Sequence, residues 1–310
     1  FILFLVFIIS SSTLAAREYG MKDSKVVDLL SELSSANEPG IQYIVVNSDS
    51  VIFEYSAGQA DIKNKVGLSS NHTMAAFSMT KTLTAIGVLQ LVERHQIKLD
   101  DKISLYVEHP YSTEITIRQL LSHTSGLPDP IPLKWVHLAK DHTTFNEKKA
   151  LKKVLLENPK ASSLPGEKYD YSNIGYWLLG GVIENVSGLS YSKYIEKNIF
   201  DPLHLSKSEI SFSVDQENNH AKGYLKKYSF MNLLKSFLIE ETTWGEYEEN
   251  WLRINNVYLN GPAFGGAIGS AKAFSQILQS LLSENSVLLG SNVKQHLYAQ
   301  EKDASGKEID

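Results

Sequence analysis

Apolar positions change their spacing several times along the chain, and each change marks an element. Val26, Val27, Leu29, Leu30 and Leu33 recur at helical spacing and predict an amphipathic helix over residues 24–34. Ile41–Asn47 and Val51–Ala57 are β-rich runs around Ser48-Asp49-Ser50, the pattern of a hairpin. From Met74 to Gln96 the residues Leu83, Ile86, Val88, Leu89, Leu91 and Val92 leave little polar face, which predicts a central, buried helix. Thr116 caps a short helix that reaches His123 and stops near Gly126, before the Pro128, Pro130 and Pro132 loop. Further helices are predicted at Asn146–Glu157, Asn173–Val186, Ser190–Phe200, Ala271–Leu282 and Ser291–Ala299. Strands early and helices through the middle, without repeats, predict an α+β fold with one compact body.

The first residues form a different pattern. Phe1–Ile9 is unbroken apolar sequence, followed by small and hydroxylated residues up to Ala16. Nine residues are too few for a membrane span, which needs about 20. The run matches the apolar core of a secretory signal, so residues 1–16 are expected to be a partial signal peptide and 17–310 the domain. The expected location is secreted or periplasmic, with no stable membrane span in the mature chain.

Composition narrows the function classes. With 310 residues and 43% hydrophobic content, the chain is neither disordered nor in need of staples. Thirty Lys and Arg against 35 Asp and Glu give −5, without a basic block, so nucleic acid is not expected as a partner. The absence of cysteine excludes disulfides, a thiolate nucleophile and Cys-ligated metals. The nine histidines are scattered; His137 and His142 lie five apart with no further ligand placed near them, so no metal and no cofactor is proposed.

Ser-x-x-Lys occurs at Ser78–Lys81, Ser190–Lys193 and Ser291–Lys294. Ser190 and Ser291 open ordinary amphipathic helices and read as N-caps. Ser78 lies near the start of the buried helix, where a three-residue step puts it on one face with Lys81. A lysine made neutral by desolvation takes a serine proton, and the N–H of Ser78 at a helix N-terminus faces a developing oxyanion. A helix cap with a snorkelling lysine explains the same residues equally well. Tyr-x-Asn occurs at Tyr171–Asn173 and Tyr258–Asn260. The first follows Pro165-Gly166 and precedes an apolar helix, so Tyr171 suits proton transfer and Asn173 the binding of a substrate carbonyl. A loop aromatic followed by an N-cap at Asn173 is the simpler explanation.

The segments Ala76–Ala85, Leu91-Val92-Glu93, Leu99–Ile103, Thr116–Leu127, Pro165-Gly166-Glu167, Tyr171–Tyr176 and Gly261–Ala271 together resemble the serine β-lactamase and penicillin-recognising family. The class C β-lactamase, D-alanyl-D-alanine carboxypeptidase and esterase branch is the best fit. The resemblance runs over residues 40 to 300 in order, and implies an antiparallel sheet built from both chain ends against a helical region. It makes Ser78 the nucleophile, Lys81 its base partner, Tyr171 the proton shuttle and Asn173 a substrate-binding amide; His123 and Gly126 are architectural. The expected activity is an acyl-enzyme hydrolase for an ester, a β-lactam or a D-Ala-D-Ala-type amide. A non-catalytic penicillin-binding or sensor domain on the same fold is the alternative, and the oligomeric state is left open. The family's third element, Lys-Thr-Gly or His-x-Gly after the helical region, is not in this sequence: its sole Lys-x-Gly, Lys65-Val66-Gly67, precedes Ser78. Missing C-terminal strands are therefore expected, together with a helix left uncovered on one face, impaired catalysis and poor stability, unless residues 220–260 supply a substitute strand.

Overall fold

The computed structural model describes residues 24–34, 37–302 and 306–308; the expected signal segment, 1–16, lies outside the described residues. Helix α1 (Ser24–Leu33) precedes a hairpin of β1 (Ile41–Val46) and β2 (Val51–Ala57), antiparallel from Ile41 opposite Ala57 to Val46 opposite Val51. A short ladder of β3 (Gln59–Asp61) and β4 (Val66–Gly67) follows, then β5 (Met74–Ala75) and α2 (Thr80–Glu93). Next come α3 (Ile117–Leu121), β6 (Val136–Leu138), α4 (Glu147–Glu157), α5 (Asn173–Ser187), α6 (Tyr191–Ile195) and β7 (Ile210–Ser211). The last third holds β8 (Gly223–Lys226), α7 (Phe230–Leu238), β9 (Trp244–Glu248), β10 (Trp251–Ile254), β11 (Val257–Leu259), α8 (Pro262–Gly265), β12 (Ile268–Gly269), α9 (Ala271–Leu282) and α10 (Ser291–Tyr298). All named strand pairs are antiparallel, in the orders β1-β2, β3-β4, β5-β12-β7, β8-β10-β9 and β11-β6.

The core is built round α2, as its nearly all-apolar sequence requires. Leu83, Ile86, Val88, Leu89 and Leu91 are buried, with Ile174, Trp177, Leu178 and Val182 of α5 in the same cluster. Gly87 lets Ile183, Tyr194 and Ile195 close on α2. Gly180 does the same for α5: a Cβ there would lie 2.5 Å from that of Ala263 in α8. Three helices therefore meet at short range, with Lys81 and Thr84 of α2 and Gly180 of α5 against the α8 segment.

Several elements differ from the sequence reading. The helix predicted from Met74 starts at Thr80; Met74–Ala75 is a strand against Ile268–Gly269, and Phe77–Met79 is a 3-10 turn. Phe77 has a positive φ of 45°, which no helix interior accepts, so it sets the boundary. Ser190 stands at the N-cap of α6 without a side-chain cap bond; the Glu184 carboxylate accepts from Tyr191 N instead, at 2.9 Å. The segment Ser190–Phe200 is α-helical only to Ile195 and continues as one wide π turn. Ser291 is the first residue of α10 and Gly290 is its cap. The cap of α5 is Ser172, whose Oγ accepts from Gly175 N at 3.2 Å, and Asn173 is the first helical residue.

Helix α2 is not left uncovered, contrary to expectation. Leu288 and Leu289 are buried in its core, and Gln90 Nε2 donates to Leu288 O at 3.1 Å. The alternation at Ala221–Tyr228 does form β8, but β8 pairs with β10 in a separate sheet and adds nothing to β1-β2. What joins the two ends of the sequence is α9, which packs on β1 and donates from Ala271 N to Gln42 Oε1 at 2.9 Å.

One carboxyl in this frame stands out. Glu147, the first residue of α4, accepts from Trp177 Nε1 at 3.0 Å. Burial first, and the charge of Glu184 second, push its pKa up to about 7. The folded state thus holds this proton more tightly than the unfolded chain, so its contribution is complete below pH 4.5 and is lost as pH rises through about 7. Glu147→Gln keeps the acceptor for Trp177 and should leave stability unchanged at pH 4. At pH 8.5 it should raise stability by on the order of 2 kcal/mol. Urea unfolding of both proteins at the two pH values measures this; an equal difference at both excludes a proton-linked effect.

Candidate active site

Ser78 sits at the centre of the 3-10 turn that opens into α2, with its side chain exposed. Met79 N donates to Ala76 O at 3.1 Å, whereas the N–H of Ser78, at the open start of the turn, is available to a ligand oxygen. Lys81 lies one turn further on and is only 7% exposed. Its Nζ donates to Asn173 Oδ1 at 2.7 Å, to Phe264 O at 2.7 Å and to Ser78 Oγ at 3.2 Å. Tyr171 OH lies 2.8 Å from Ser78 Oγ on the other side. The structure thus brings together all four residues singled out in the sequence: Ser78, Lys81, Tyr171 and Asn173.

The local sequence explains the convergence. Thr80 and Thr84 stand four apart on one face of α2, and both are fully buried. Thr80 Oγ1 accepts from Ala267 N at 3.0 Å, and Thr84 Oγ1 donates to Ala263 O at 2.6 Å. Ala76 N donates to Ala267 O at 2.8 Å. These bonds stitch residues 263–267 to α2 and hold the Phe264 carbonyl over Lys81. On the other flank, His123 adopts a left-handed φ of 57° and its Nδ1 accepts from Ser172 N at 3.1 Å. Its ring packs at a tilt, 4.4 Å from that of Tyr171 and 5.0 Å from that of Tyr176. Ser172 Oγ donates to Pro128 O at 3.0 Å. The 123–129 loop therefore fixes the entry to α5, which carries Tyr171 and Asn173.

Burial dominates the electrostatics. It lowers the Lys81 pKa to about 7, against an opposing pull from the Asp129 carboxylate. Burial likewise raises Tyr171 above the ordinary phenol value, although its bond to Ser78 works the other way. His123 is pushed down to about 4 by burial and then by the Lys81 charge, so near neutral pH its ring is uncharged. Aromatic rings complete the lysine's surroundings, with Nζ 4.9 Å from the ring centre of Tyr171 and 5.5 Å from that of Tyr176.

Two groups were missed in the sequence. Asp129 Oδ1 accepts from both Asn173 N and Asn173 Nδ2, each at 2.9 Å. That pair of bonds turns the amide so that its oxygen faces Lys81, and it ties up one of the two Nδ2 protons expected for substrate. The signal available was the acid within Pro128-Asp129-Pro130, directly after the Ser125-Gly126-Leu127 turn. The second is the Phe264 carbonyl, a backbone group with no side-chain signature. The other candidate motifs do not join the site. His137 lies on β6, bonded at 2.9 Å to Asn260 Oδ1 and at 2.9 Å to His142, so the second Tyr-x-Asn belongs to a separate cluster. Among the described residues no group of three His, Cys, Asp or Glu is placed to hold a metal.

Known proteins share this arrangement of elements. The chain is 30% identical over 199 residues to Protein flp of Staphylococcus aureus (strain N315), covering 62% of this chain and 39% of that protein. It is 30% identical over 202 residues to Penicillin-binding protein 4* of Bacillus subtilis (strain 168), covering 64% and 44%. The match thus spans about two fifths of each relative's length. Among solved structures, the octameric penicillin-binding protein homologue from Pyrococcus abyssi superposes with a TM-score of 0.70 at 22% identity, covering 92% of this chain and 60% of that one. The D-amino acid amidase from Ochrobactrum anthropi SV3 gives 0.72 at 19% identity, covering 88% and 74%. These likenesses establish a β-lactamase and penicillin-binding-protein fold of helices and antiparallel strands. The family model described as Beta-lactamase matches residues 26–302, and the chain belongs to that family.

Proposed function

We propose that this chain is a secreted serine hydrolase that forms an acyl-enzyme on Ser78, with residues 1–16 acting as part of the export signal. The observation that carries the catalytic reading is the continuous chain of hydrogen bonds Tyr171–Ser78–Lys81, closed by Asn173 and the Phe264 carbonyl. A charged Lys81 fills all three of its donor positions. A neutral one keeps the two 2.7 Å bonds and turns its lone pair along the longer, 3.2 Å contact to Ser78 Oγ. Ser78 then donates to Lys81, and this is the form ready for attack.

The steps follow from that arrangement. Ser78 Oγ bonds to the substrate carbonyl carbon while its proton passes to Lys81 Nζ. The carbonyl electron pair moves onto oxygen, opposite the N–H of Ser78. Tyr171, kept protonated by burial, donates to the leaving oxygen or nitrogen as that bond breaks, and takes back the proton that Lys81 received from Ser78. Water then attacks the ester and loses a proton to Lys81, which returns it to Ser78 Oγ as the acid leaves. Asn173 holds Lys81, and its remaining amide proton is the one left for a substrate carbonyl. The substrate class is an ester, β-lactam or D-amino acyl amide, in keeping with relatives named for penicillin binding and D-amino acid amide hydrolysis. A non-catalytic binding or sensor domain on the same fold is the outcome if neither penicillin nor the ester leaves an adduct.

Incubation with penicillin and with an activated short-chain ester, read by mass spectrometry, should give an adduct on the peptide containing Ser78. Ser78→Ala should abolish it, whereas Ser190→Ala and Ser291→Ala should not. An adduct on Ser190 or Ser291 overturns the assignment.

Lys81→Met and Tyr171→Phe should each lower the acylation rate by about 10²–10⁴. The double variant should fall far short of the product, because the two groups move one proton between them. Multiplicative losses mean that they act independently.

The rate of acylation should rise with pH through about 7, since the base is the neutral form of Lys81. Asp129→Asn preserves an acceptor for Asn173 but removes the charge that favours the ammonium, so this rise should move to lower pH. Asp129→Ala should instead lower the plateau, by releasing the amide of Asn173. A pH profile unchanged in Asp129→Asn removes the carboxylate from the tuning of Lys81.

A further inference from the structure

The fold uses only one of the two oxygens of Asp129. Oδ1 accepts from Asn173 N and from Asn173 Nδ2, each at 2.9 Å, whereas Oδ2 carries no hydrogen bond among the described residues. The residue is exposed. One side-chain amide separates it from the reacting atoms. While Asn173 Nδ2 meets Asp129, Asn173 Oδ1 lies 2.7 Å from Lys81 Nζ and 3.5 Å from Tyr171 OH. Both of those groups are bonded to Ser78 Oγ. The charges that act on Asp129 are those of Lys81 and Asp170, and Asp170 has its own lysine, Lys168, at 3.8 Å.

Charge balance indicates what that free oxygen takes. In the form ready for attack Lys81 is neutral, so Asp129 loses its one counter-charge and is left beside a second acid. A cation on the ligand restores the balance. The neighbours suit one: the charge of Asp129 also reaches Tyr169, which is 48% exposed, and Tyr171. A carboxylate oxygen among tyrosine rings is the chemistry of an ammonium site. Distance suits it too. In an aminoacyl amide or ester the α-nitrogen lies two bonds, about 2.5 Å, from the carbonyl carbon. Attack by Ser78 therefore places that nitrogen in the first layer of groups round the serine, of which Asn173, with Asp129 behind it, is one side. An N-acylated substrate meets the opposite situation. Its acyl carbonyl can take the remaining Asn173 proton, but the oxygen then approaches the carboxylate with negative end towards negative charge.

We propose that Asp129 Oδ2 receives the α-ammonium group of the substrate, so that the preferred substrates are aminoacyl amides or esters with an unacylated amine. This rests on the acyl-enzyme reading of Ser78 and narrows its substrate class. Asp129 then has two separate duties: Oδ1 aims the Asn173 amide, and Oδ2 selects the acyl group.

Three anilides with one ring and one leaving group separate charge from bulk: D-phenylalanine p-nitroanilide, its N-acetyl derivative and 3-phenylpropionyl p-nitroanilide. At about pH 6.5 the first is an ammonium, because α-amino groups titrate near about 7.7–8.0, and the other two are uncharged. Its kcat/KM should exceed that of each of the others about tenfold, with the difference in KM. Asp129→Asn keeps the acceptor for Asn173 and should erase this preference by raising KM for the free amine, while the two uncharged anilides change by one common factor. Equal kcat/KM for all three in the unaltered protein overturns the proposal. A loss in Asp129→Asn that all three share equally also overturns it, since that is the mark of a residue that only positions Asn173. Binding to Ser78→Ala, measured by calorimetry, keeps the test independent of turnover. D-phenylalaninamide should bind about tenfold more tightly than its N-acetyl derivative, and equally in Ser78→Ala combined with Asp129→Asn. Selective binding without turnover of any anilide supports the ammonium site and removes the hydrolase reading. Turnover without selectivity does the reverse, and the absence of both overturns both.

Discussion

The site depends on one amino group held almost entirely out of water. Leaving the charge of Lys81 in the interior costs several kcal/mol unless its donors are matched. The match comes from three separate stretches: Ser78 on its own helix, Asn173 at the start of α5 and Phe264 in α8. None of the three is local to another except Ser78, so the lysine finds its partners only when all three helices have packed. The core and the site are in that sense the same structure. Displacing α5 or α8 would uncover apolar surface and strand the amine together. Asp129 supports the arrangement from behind Asn173, where it fixes the amide's direction and leans against the desolvation of Lys81.

Backbone conformation carries part of the cost. Phe77 is held at a φ of 45° and is largely exposed, although a large side chain disfavours that region by of order 1–3 kcal/mol. The β5-β12 pairing and the bonds from Ala76 and Thr80 to Ala267 over-determine the residues on each side, so the turn has no room to relax. The gain is that Ser78 leaves the chain at the helix mouth, exposed to a ligand, while Lys81 one turn later is sealed. His123, at a φ of 57°, does the corresponding service for the 170–173 segment, since in that conformation its ring lies under Tyr171 while its Nδ1 meets Ser172 N.

Much of this was legible because the residues concerned carry two signals at once. Helix α2 shows its burial in Leu83, Ile86, Val88, Leu89 and Leu91, and its chemistry in the Ser78 and Lys81 that open it. Helix α5 was legible in its extent from its apolar run, although the cap read at Asn173 is in fact Ser172. The Phe264 acceptor was illegible because any residue supplies a carbonyl. Asp129 was passed over because an acid between prolines has the look of a loop residue, and its role appears only once the loop folds back on Asn173. The strand at Met74–Ala75 was absorbed into a helix because apolar periodicity carries no mark for one positive φ.

The two opposite pKa shifts in this site come from a single physical cause. Taking a group out of water penalises its charged form, whichever sign that charge has. The same desolvation that lowers Lys81 toward neutrality raises Tyr171 away from ionisation. Near pH 7 the pocket therefore holds an amine able to accept a proton and a phenol able to give one, on opposite sides of Ser78 Oγ. No separate device is needed to push the two pKa values in opposite useful directions, as a pair of carboxylates would require. The aromatic rings of Tyr176 and Phe264 and the uncharged ring of His123 serve both groups by keeping water away from both. A polar substitution in that aromatic wall would readmit water and return the lysine to its charge and the tyrosine toward its ordinary acidity together. It would remove the amine's ability to accept a proton without touching it, while leaving the phenol protonated.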